Sequence, residues 1–542
     1  MKTLSPLILL PLAALATPSP AQVATNDGVL TPDAVGASST FGECVAVDGD
    51  RALVGDHADG TLGNNAGTAY LFEFVDGAWV EVQQLFASDG NQSDWYGIDV
   101  ALDGDRALVG AKFKNSSLGT TGAAYLYERS PDGTWLEVAK LEADEPTDSG
   151  HFGQAVDLDG DRAVVGSFGV EGPEGWGLGA VYVYERQPDG TWPQTAELQT
   201  ADLEPGERLV YIGWDVSLDG DRVLAGAPSK ETAAGEYAGA AYLYQYAGGT
   251  WTEVHRFDTP AGFGAYDFGQ AVALAGSTVV IGDPSSSGIL LEDQGRAFVF
   301  EQERGLWPFA GEVSALQPLS GDEYGSALAA TSERIAVGAH NARPGNLNKA
   351  GEVTTFVRGA NGEWRREASW VSDTLGSGTE LGKDVALDED RMLAGIGKNA
   401  SAELVHAFEL GSLLHGPTTM SASALGSQDL LLRAGPDRGG EGYFLLGSLS
   451  GTSPGLPVPG SPGLGLPLNF DAYFQITLAG GPFLNQTGTL DADGHADAAL
   501  ALPPVAEPAF AGLHLHHAYV TFDPGAGTFP FASNAVPLVF EP

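Results

Sequence analysis

Tyr96–Ala111 reads YGIDVALDGDRALVGA and Gly122–Leu141 reads GAAYLYERSPDGTWLEVAKL; Phe152–Ser167 and Gly179–Leu198 repeat both phrases as FGQAVDLDGDRAVVGS and GAVYVYERQPDGTWPQTAEL. Each copy holds four short runs of β-type residues, in the first case Ile98–Leu102, Ala107–Gly110, Ala123–Glu128 and Trp135–Leu141. Asp-Gly separates the first two runs and Pro-Asp-Gly the last two, residue types that supply the unusual backbone angles of tight hairpins. Each copy therefore predicts a four-stranded antiparallel meander.

Working outward, the same pattern starts at Phe41, Tyr96, Phe152, Ile212, Phe268, Tyr324 and Leu381, at spacings of 55 to 60 residues. Four-stranded units in a closed series of four to eight describe a β-propeller, in which radial repetition leaves only short sheet edges exposed. The fold class expected is all-β, a seven-bladed β-propeller of four-stranded blades over residues 22–411, followed by a small β-sandwich-like domain over 412–542. The seventh copy has no fourth run of the Trp-x-x-Val type, and residues 22–40 align with one, so they are expected to close blade seven. In the first strands, the small residues Ala46, Ala101, Asp157, Ser217, Ala273, Ala329 and Ala386 alternate with larger apolar ones, and both columns read as core.

Residues 1–21 read as a cleavable signal peptide: Lys2, an apolar run Leu4–Leu15 broken by Pro6 and Pro11, then Ser19-Pro20-Ala21. No stretch reaches the length of a membrane span, so a secreted or cell-surface protein is expected. The chain has 542 residues with 71 acidic against 26 basic side chains, a formal charge of −45, which excludes a partner held through nucleic-acid phosphates. Its one cysteine, Cys44, forms no internal disulfide and reads as a buried filler.

Strand alternation puts the short, formulaic turns on one face of the ring and the long, varied loops on the other, where ligand binding is expected. Residues at the start of each first strand should rim the channel there. They are Trp95, Tyr96, His151, Phe152, Tyr211 and Trp214 on blades two to four, and Asp267, Phe268, Glu323, Tyr324 and Glu380 on blades five to seven. An aromatic half facing an acidic half suits a sugar or a cationic ligand; the other reading is that the aromatics plug the ring. Asp99, Asp215 and Asp384 share a column with Cys44 near the axis, where they must cap backbone N–H groups, pair, or hold an ion. The recurring Asp-Gly-Asp-Arg turns read as hairpin turns with charge-compensating Arg.

The Phe-Gly or Tyr-Gly starts (Phe41-Gly42, Tyr96-Gly97, Phe152-Gly153, Phe268-Gly269, Tyr324-Gly325) and the Val-Gly-Ala or Gly-Ala-Pro ends (Val109–Ala111, Gly226–Pro228, Val337–Ala339) resemble FG-GAP repeats, the blades of the integrin-α-type propeller. The resemblance implies extracellular adhesion or ligand binding on the long-loop face. The family's calcium loop, Asp-x-Asp-x-Asp-Gly-x-x-Asp, is replaced here by a short turn with too few oxygens for calcium. No cofactor or metal is therefore expected.

The C-terminal region offers His514, His516 and His517, of which two share a strand face, but no third metal ligand is marked. The region resembles C-terminal β modules appended to exported bacterial proteins, a resemblance that implies surface retention or sorting. The function expected is an exported, non-catalytic binding or adhesion protein with an extracellular protein or glycan partner. The alternatives are a structural cell-surface or matrix component and a propeller hydrolase of extracellular polysaccharide, whose acids would be Asp99, Asp215 and Asp384.

Overall fold

In the computed structural model the first strand of each repeat lies at the axis, and each later strand pairs antiparallel with the one before it, working outward. Blade two shows the pattern: Tyr96–Asp103, Arg106–Ala111, Ala123–Arg129 and Trp135–Leu141, in that order from the channel. Seven such four-stranded sheets form the ring. The last is completed from the other end of the chain, because Asn26–Leu30 pairs antiparallel with Val405–Glu409, outside Arg391–Ala394 and Val385–Leu387. The structure describes residues 26–410 except 35–38, 76, 173–176, 201, 204–208, 262, 264–265, 287–292, 316–317, 345–346, 359–361, 372–376, 389–390 and 398–403, together with strand segments between 412 and 541. The expected signal peptide lies outside the described residues.

Two glycine columns explain the repeated phrases. Gly110, in the second strand of blade two, packs so closely on the next blade that a Cβ there would drive into the carbonyl oxygen of Gly153. Gly55 meets Gly97 in the same way, and the series runs round to Gly395, which meets Gly42 and so joins the last blade to the first. The glycine before each third strand serves the same junction. Gly122, at φ +86°, forms a parallel bridge to Phe152 of the next blade. The Phe-Gly of one repeat and the Gly-Ala of the previous one are thus two sides of a single interblade contact.

The hydrophobic clusters also lie between blades. Leu53, Leu71 and Leu85 of blade one pack with Tyr96, Val109 and Tyr125 of blade two, and Leu224 and Leu243 of blade four pack with Phe268, Ile281 and Phe298 of blade five. Each fully buried side chain of this size stabilises the ring by about 1.5–3 kcal/mol relative to exposure. No blade buries its faces alone.

After the ring the described residues are again β-strands. One sheet orders Ser412–His415, Gly426–Arg433, His495–Leu502 and Phe483–Leu484; another orders Thr419–Ser421, Val536–Glu541, His514–Phe522, Gly442–Ser448 and Thr487–Thr489. A two-residue hairpin pairs Leu456–Pro457 with Gly465–Leu466 inside the Pro/Gly-rich loop. The apolar run of residues 472–478 lies outside the described residues, as do the side chains on which sandwich packing and a histidine site would rest. Among the described residues, no helix is long and apolar enough to cross a membrane.

Candidate functional site

The inner strands enclose a central channel of about 440 Å³. Each inner strand turns an open edge of backbone N–H groups toward it, and unpaired donors there need acceptors. The carboxylates supply them. Asp99 accepts from Val100 N–H (3.0 Å) and from Val156 N–H of the next blade (2.7 Å). Asp215 bridges Val216 (2.9 Å) and Val272 (2.7 Å), and Asp384 bridges Val385 (2.8 Å) and Val45 (2.8 Å), clipping blade seven to blade one. Of the three options open for these acids, capping neighbouring backbone is the one seen.

A fourth carboxylate belongs with them. Asp157, which the sequence placed in the small-residue core column, accepts from Leu158 N–H (2.8 Å) and from Leu218 N–H of the next blade (2.6 Å). Ser217, in the same column, accepts from Leu274 N–H (3.1 Å). Protein surrounds the four carboxyls on every side but the lumen. Burial pushes Asp157 and Asp215 up to about 7 and Asp384 to about 6, against the pull of their N–H donors. Asp99 rises well above the ordinary range through burial and the neighbouring Asp384. Cys44, raised by burial and by Asp99 and Asp384, stays a thiol and donates to Gly97 C=O (3.2 Å).

On the long-loop face the rim aromatics interlock. His57 lies 4.6 Å from Trp95 between ring centroids, Trp95 is 4.7 Å from Phe113, Phe113 is 5.2 Å from His151, and His151 stacks on Phe168 at 4.7 Å. Phe168 then meets Trp214 at 5.0 Å and Tyr211 at 5.6 Å. The result is a continuous crescent over blades one to four, most of whose rings are half-buried. Tyr96 is not part of it: it is buried between blades and donates to the Tyr127 hydroxyl (2.9 Å). Phe152, Phe268 and Tyr324 are likewise core.

The acidic residues follow on blades five to seven. Asp267 accepts from the Ser285 hydroxyl (2.8 Å), and Glu323 lies 3.3 Å from Nε2 of His340. Burial, with Lys383 and Lys349 nearby, pushes that imidazole down to about 3, so it is neutral. Glu380 packs against Gly397, where a Cβ would collide with its carboxylate. One feature unites both halves. Trp95, His151, Tyr211, Asp267, Glu323 and Glu380 occupy the same repeat position and all have φ between +54° and +69°. That backbone region disfavours side chains by roughly 1–2 kcal/mol per residue, and the interblade bridge made by the following residue holds it there.

The sequence reading missed His57, Lys112, Phe113 and Phe168. They occupy the first two positions after the second strand, a column adjacent in space to the rim residues but distant in sequence. It also missed Lys114 and Lys230, which are almost fully buried: Lys114 Nζ lies 2.9 Å from Asp94, and Lys230 Nζ donates to Asp202 C=O (3.1 Å).

On the opposite face the Asp-Gly-Asp-Arg turns do more than reverse the chain. Asp48 accepts from Gly104 N–H of the next blade's turn (2.7 Å) while Arg51 donates to Gly104 C=O (2.8 Å). Asp103 and Arg106 hold Gly160 in the same way, and Asp388 and Arg391 hold Gly49, closing the ring on this face too. Among the described residues, no group of three or more His, Cys, Asp or Glu is arranged to hold a metal ion.

The FG-GAP repeat family matches residues 25–72, 79–127, 135–184 and 192–244. The matched segments are offset from the blades: the first runs from the strand that completes blade seven to the third strand of blade one. No curated protein matches the chain.

Proposed function

The chain carries FG-GAP repeats, and on that premise we propose that it is an exported, non-catalytic binding or adhesion protein that engages an extracellular protein or glycan on its long-loop face. The observation that carries this reading is the crescent from His57 to Trp214, a run of half-buried rings on a rigid rim beside varied loops. Export rests on the signal-peptide pattern of residues 1–21. The non-catalytic role is supported by the channel acids, each of which uses both oxygens to accept backbone N–H groups from two adjacent inner strands.

A structural role at the cell surface has its own support. The outermost strands of blades one and two expose Val80, Val82, Leu136 and Val138, apolar positions on open sheet edges of the kind that pair with other chains. Glycan-array and cell-adhesion assays on the purified protein separate the readings. Binding lost in Trp214→Ala, with the fold intact, supports ligand recognition on the crescent. A protein that binds nothing on either assay but polymerises, and stops doing so in Val82→Lys, is a structural component instead.

A further inference from the structure

Lys112 stands out among the cations of this acidic chain. Lys114, Lys140, Lys230 and most of the arginines described meet a carboxylate within ion-pair distance. Among the described residues Lys112 meets none, and neither do Lys349 and Lys383, but of these three only Lys112 lies over aromatic rings. Its Nζ lies 5.1 Å from the ring centre of Trp95 and 5.4 Å from that of Phe113, and donates to the Gln154 side-chain carbonyl (2.8 Å). All three neighbours are neutral. Burial with no opposing carboxylate lowers its pKa to about 8.

Cation–π attraction accounts for an amine tolerated between two rings. It leaves the donors short, because an ammonium carries three N–H donors and Gln154 takes one. The side chain is half-buried at the start of the second-to-third loop, in the middle of the crescent, and no second hydrogen-bond acceptor for its ammonium is seen among the described residues. An amine that stays underprotected by acids in a chain of net charge −45 is set up to receive an anion that arrives with a ligand. The aromatic surroundings and the Gln154 and Gln270 amides at the channel mouth suit a ring bearing hydroxyls.

We propose that Lys112 is the anion-accepting group of the crescent and that its ligand is an acidic saccharide, a sugar carrying a carboxylate or sulfate. This rests on the ligand-binding reading of the long-loop face. It also predicts an unusual salt response. The net charge repels a polyanion at long range, and that repulsion is screened as the Debye length falls from about 10 Å at 0.1 M to about 3 Å at 1 M salt. The half-buried contact at Lys112 is screened less. Affinity should therefore hold or rise with salt, whereas adventitious binding of an anion to surface cations weakens.

The test is titration calorimetry on the full chain with hexagalacturonate, its methyl ester, an oligomeric dextran sulfate and a neutral maltohexaose, at 0.05 and 0.5 M NaCl. A charge-assisted contact of this kind corresponds to roughly tenfold in affinity or more. Expected is binding of hexagalacturonate or dextran sulfate, weakened about tenfold in Lys112→Met and retained in Lys112→Arg, with the methyl ester and maltohexaose weak and unaffected by either variant. Which of the two anionic sugars binds identifies the acid. Equal binding of hexagalacturonate and its methyl ester, or anion binding unchanged in Lys112→Met, overturns the proposal while leaving a glycan site on the crescent intact. If none of the four sugars binds and neither assay above finds another ligand, the proposal and the binding reading fall together. The unfolding temperatures of both variants confirm that losses come from the site and not from the fold.

Discussion

Replacing Asp215 with Asn should change the stability of the ring in opposite directions at low and high pH. The native carboxyl bridges Val216 and Val272 N–H across blades four and five. Its folded pKa is about 7 against an ordinary 3.8, so the folded state binds a proton more readily than the unfolded one. Stability from this group is fully present below pH ~4 and is lost as pH rises through 7. Three units at about 1.36 kcal/mol each amount to about 4 kcal/mol, and solvent in the lumen reduces that to about 2 kcal/mol. Asn removes the ionisation but has one oxygen, so one of the two N–H groups turns to lumen water at a loss of about 1 kcal/mol. At pH 3.5, below the unfolded pKa, the variant should be less stable than the native protein by about 1 kcal/mol; at pH 8.5 it should be more stable by a similar amount, with the two curves crossing in between. Denaturant unfolding at pH 3.5, 5, 7 and 8.5 at constant ionic strength measures the difference, and comparing two chains that differ at one residue cancels the other titrations. A deficit that is the same at every pH would refute the reasoning, because it would mean that Asp215 is ionised and stabilising throughout.

Other predictions concern the junctions between blades. Gly226→Ala, which forces a Cβ onto the Gly269 carbonyl, should destabilise by about 3 kcal/mol, whereas Gly220→Ala, with open space around its Cβ, should lose only the ~1 kcal/mol of its positive φ; equal losses in chemical denaturation would show that the close approach is not limiting. Lys230→Met should lower stability by about 2 kcal/mol, less than the 3–5 kcal/mol of a broken buried pair because Arg256 still faces Asp202, and a neutral effect in the same assay would contradict a structural ion pair. Thermal unfolding should move up between 0.05 and 1 M NaCl, since screening of the −45 charge outweighs the weakening of exposed turn pairs; a flat or falling melting temperature goes against it. Hydrogen exchange should be fastest at inner-strand amides of blades six and seven, and uniform protection around the ring would count against a weak sector there.

That sector follows from where the repeat loses its letters. Asp-Gly-Asp-Arg is readable as a hairpin, but its reach to the neighbouring turn is not, because the partner lies one blade and more than fifty residues away, as Asp48 does from Gly104. The architecture was legible because every blade writes the same strands and the same glycines; the crescent was legible by half, since Trp95, His151 and Tyr211 sit in a visible column while Phe113 and Phe168 interleave from another. Asp157 was misplaced for a related reason: a column otherwise made of small residues reads as core, and only the open edge of the next inner strand turns a carboxylate there into an interblade clip. At Ala275–Thr278 and Thr331–Arg334 the turn acids are gone, and the channel column there holds Ala271 and Ala327. Among the described residues, the junctions from blade five to six and from six to seven therefore lack both the turn latch and the channel clip, and rely on the glycine contacts, parallel bridges and packing common to the ring together with outer contacts such as Arg358 with Glu301 (2.8 Å) and Arg334 with Leu410 C=O (2.7 Å). The closing junction, from blade seven to one, keeps both devices through Asp384 and Asp388. The ring is thus fastened as firmly where its last blade meets its first, across no covalent link, as it is between blades two and three, and least firmly at the two junctions between blades five and seven, where the chain itself is continuous.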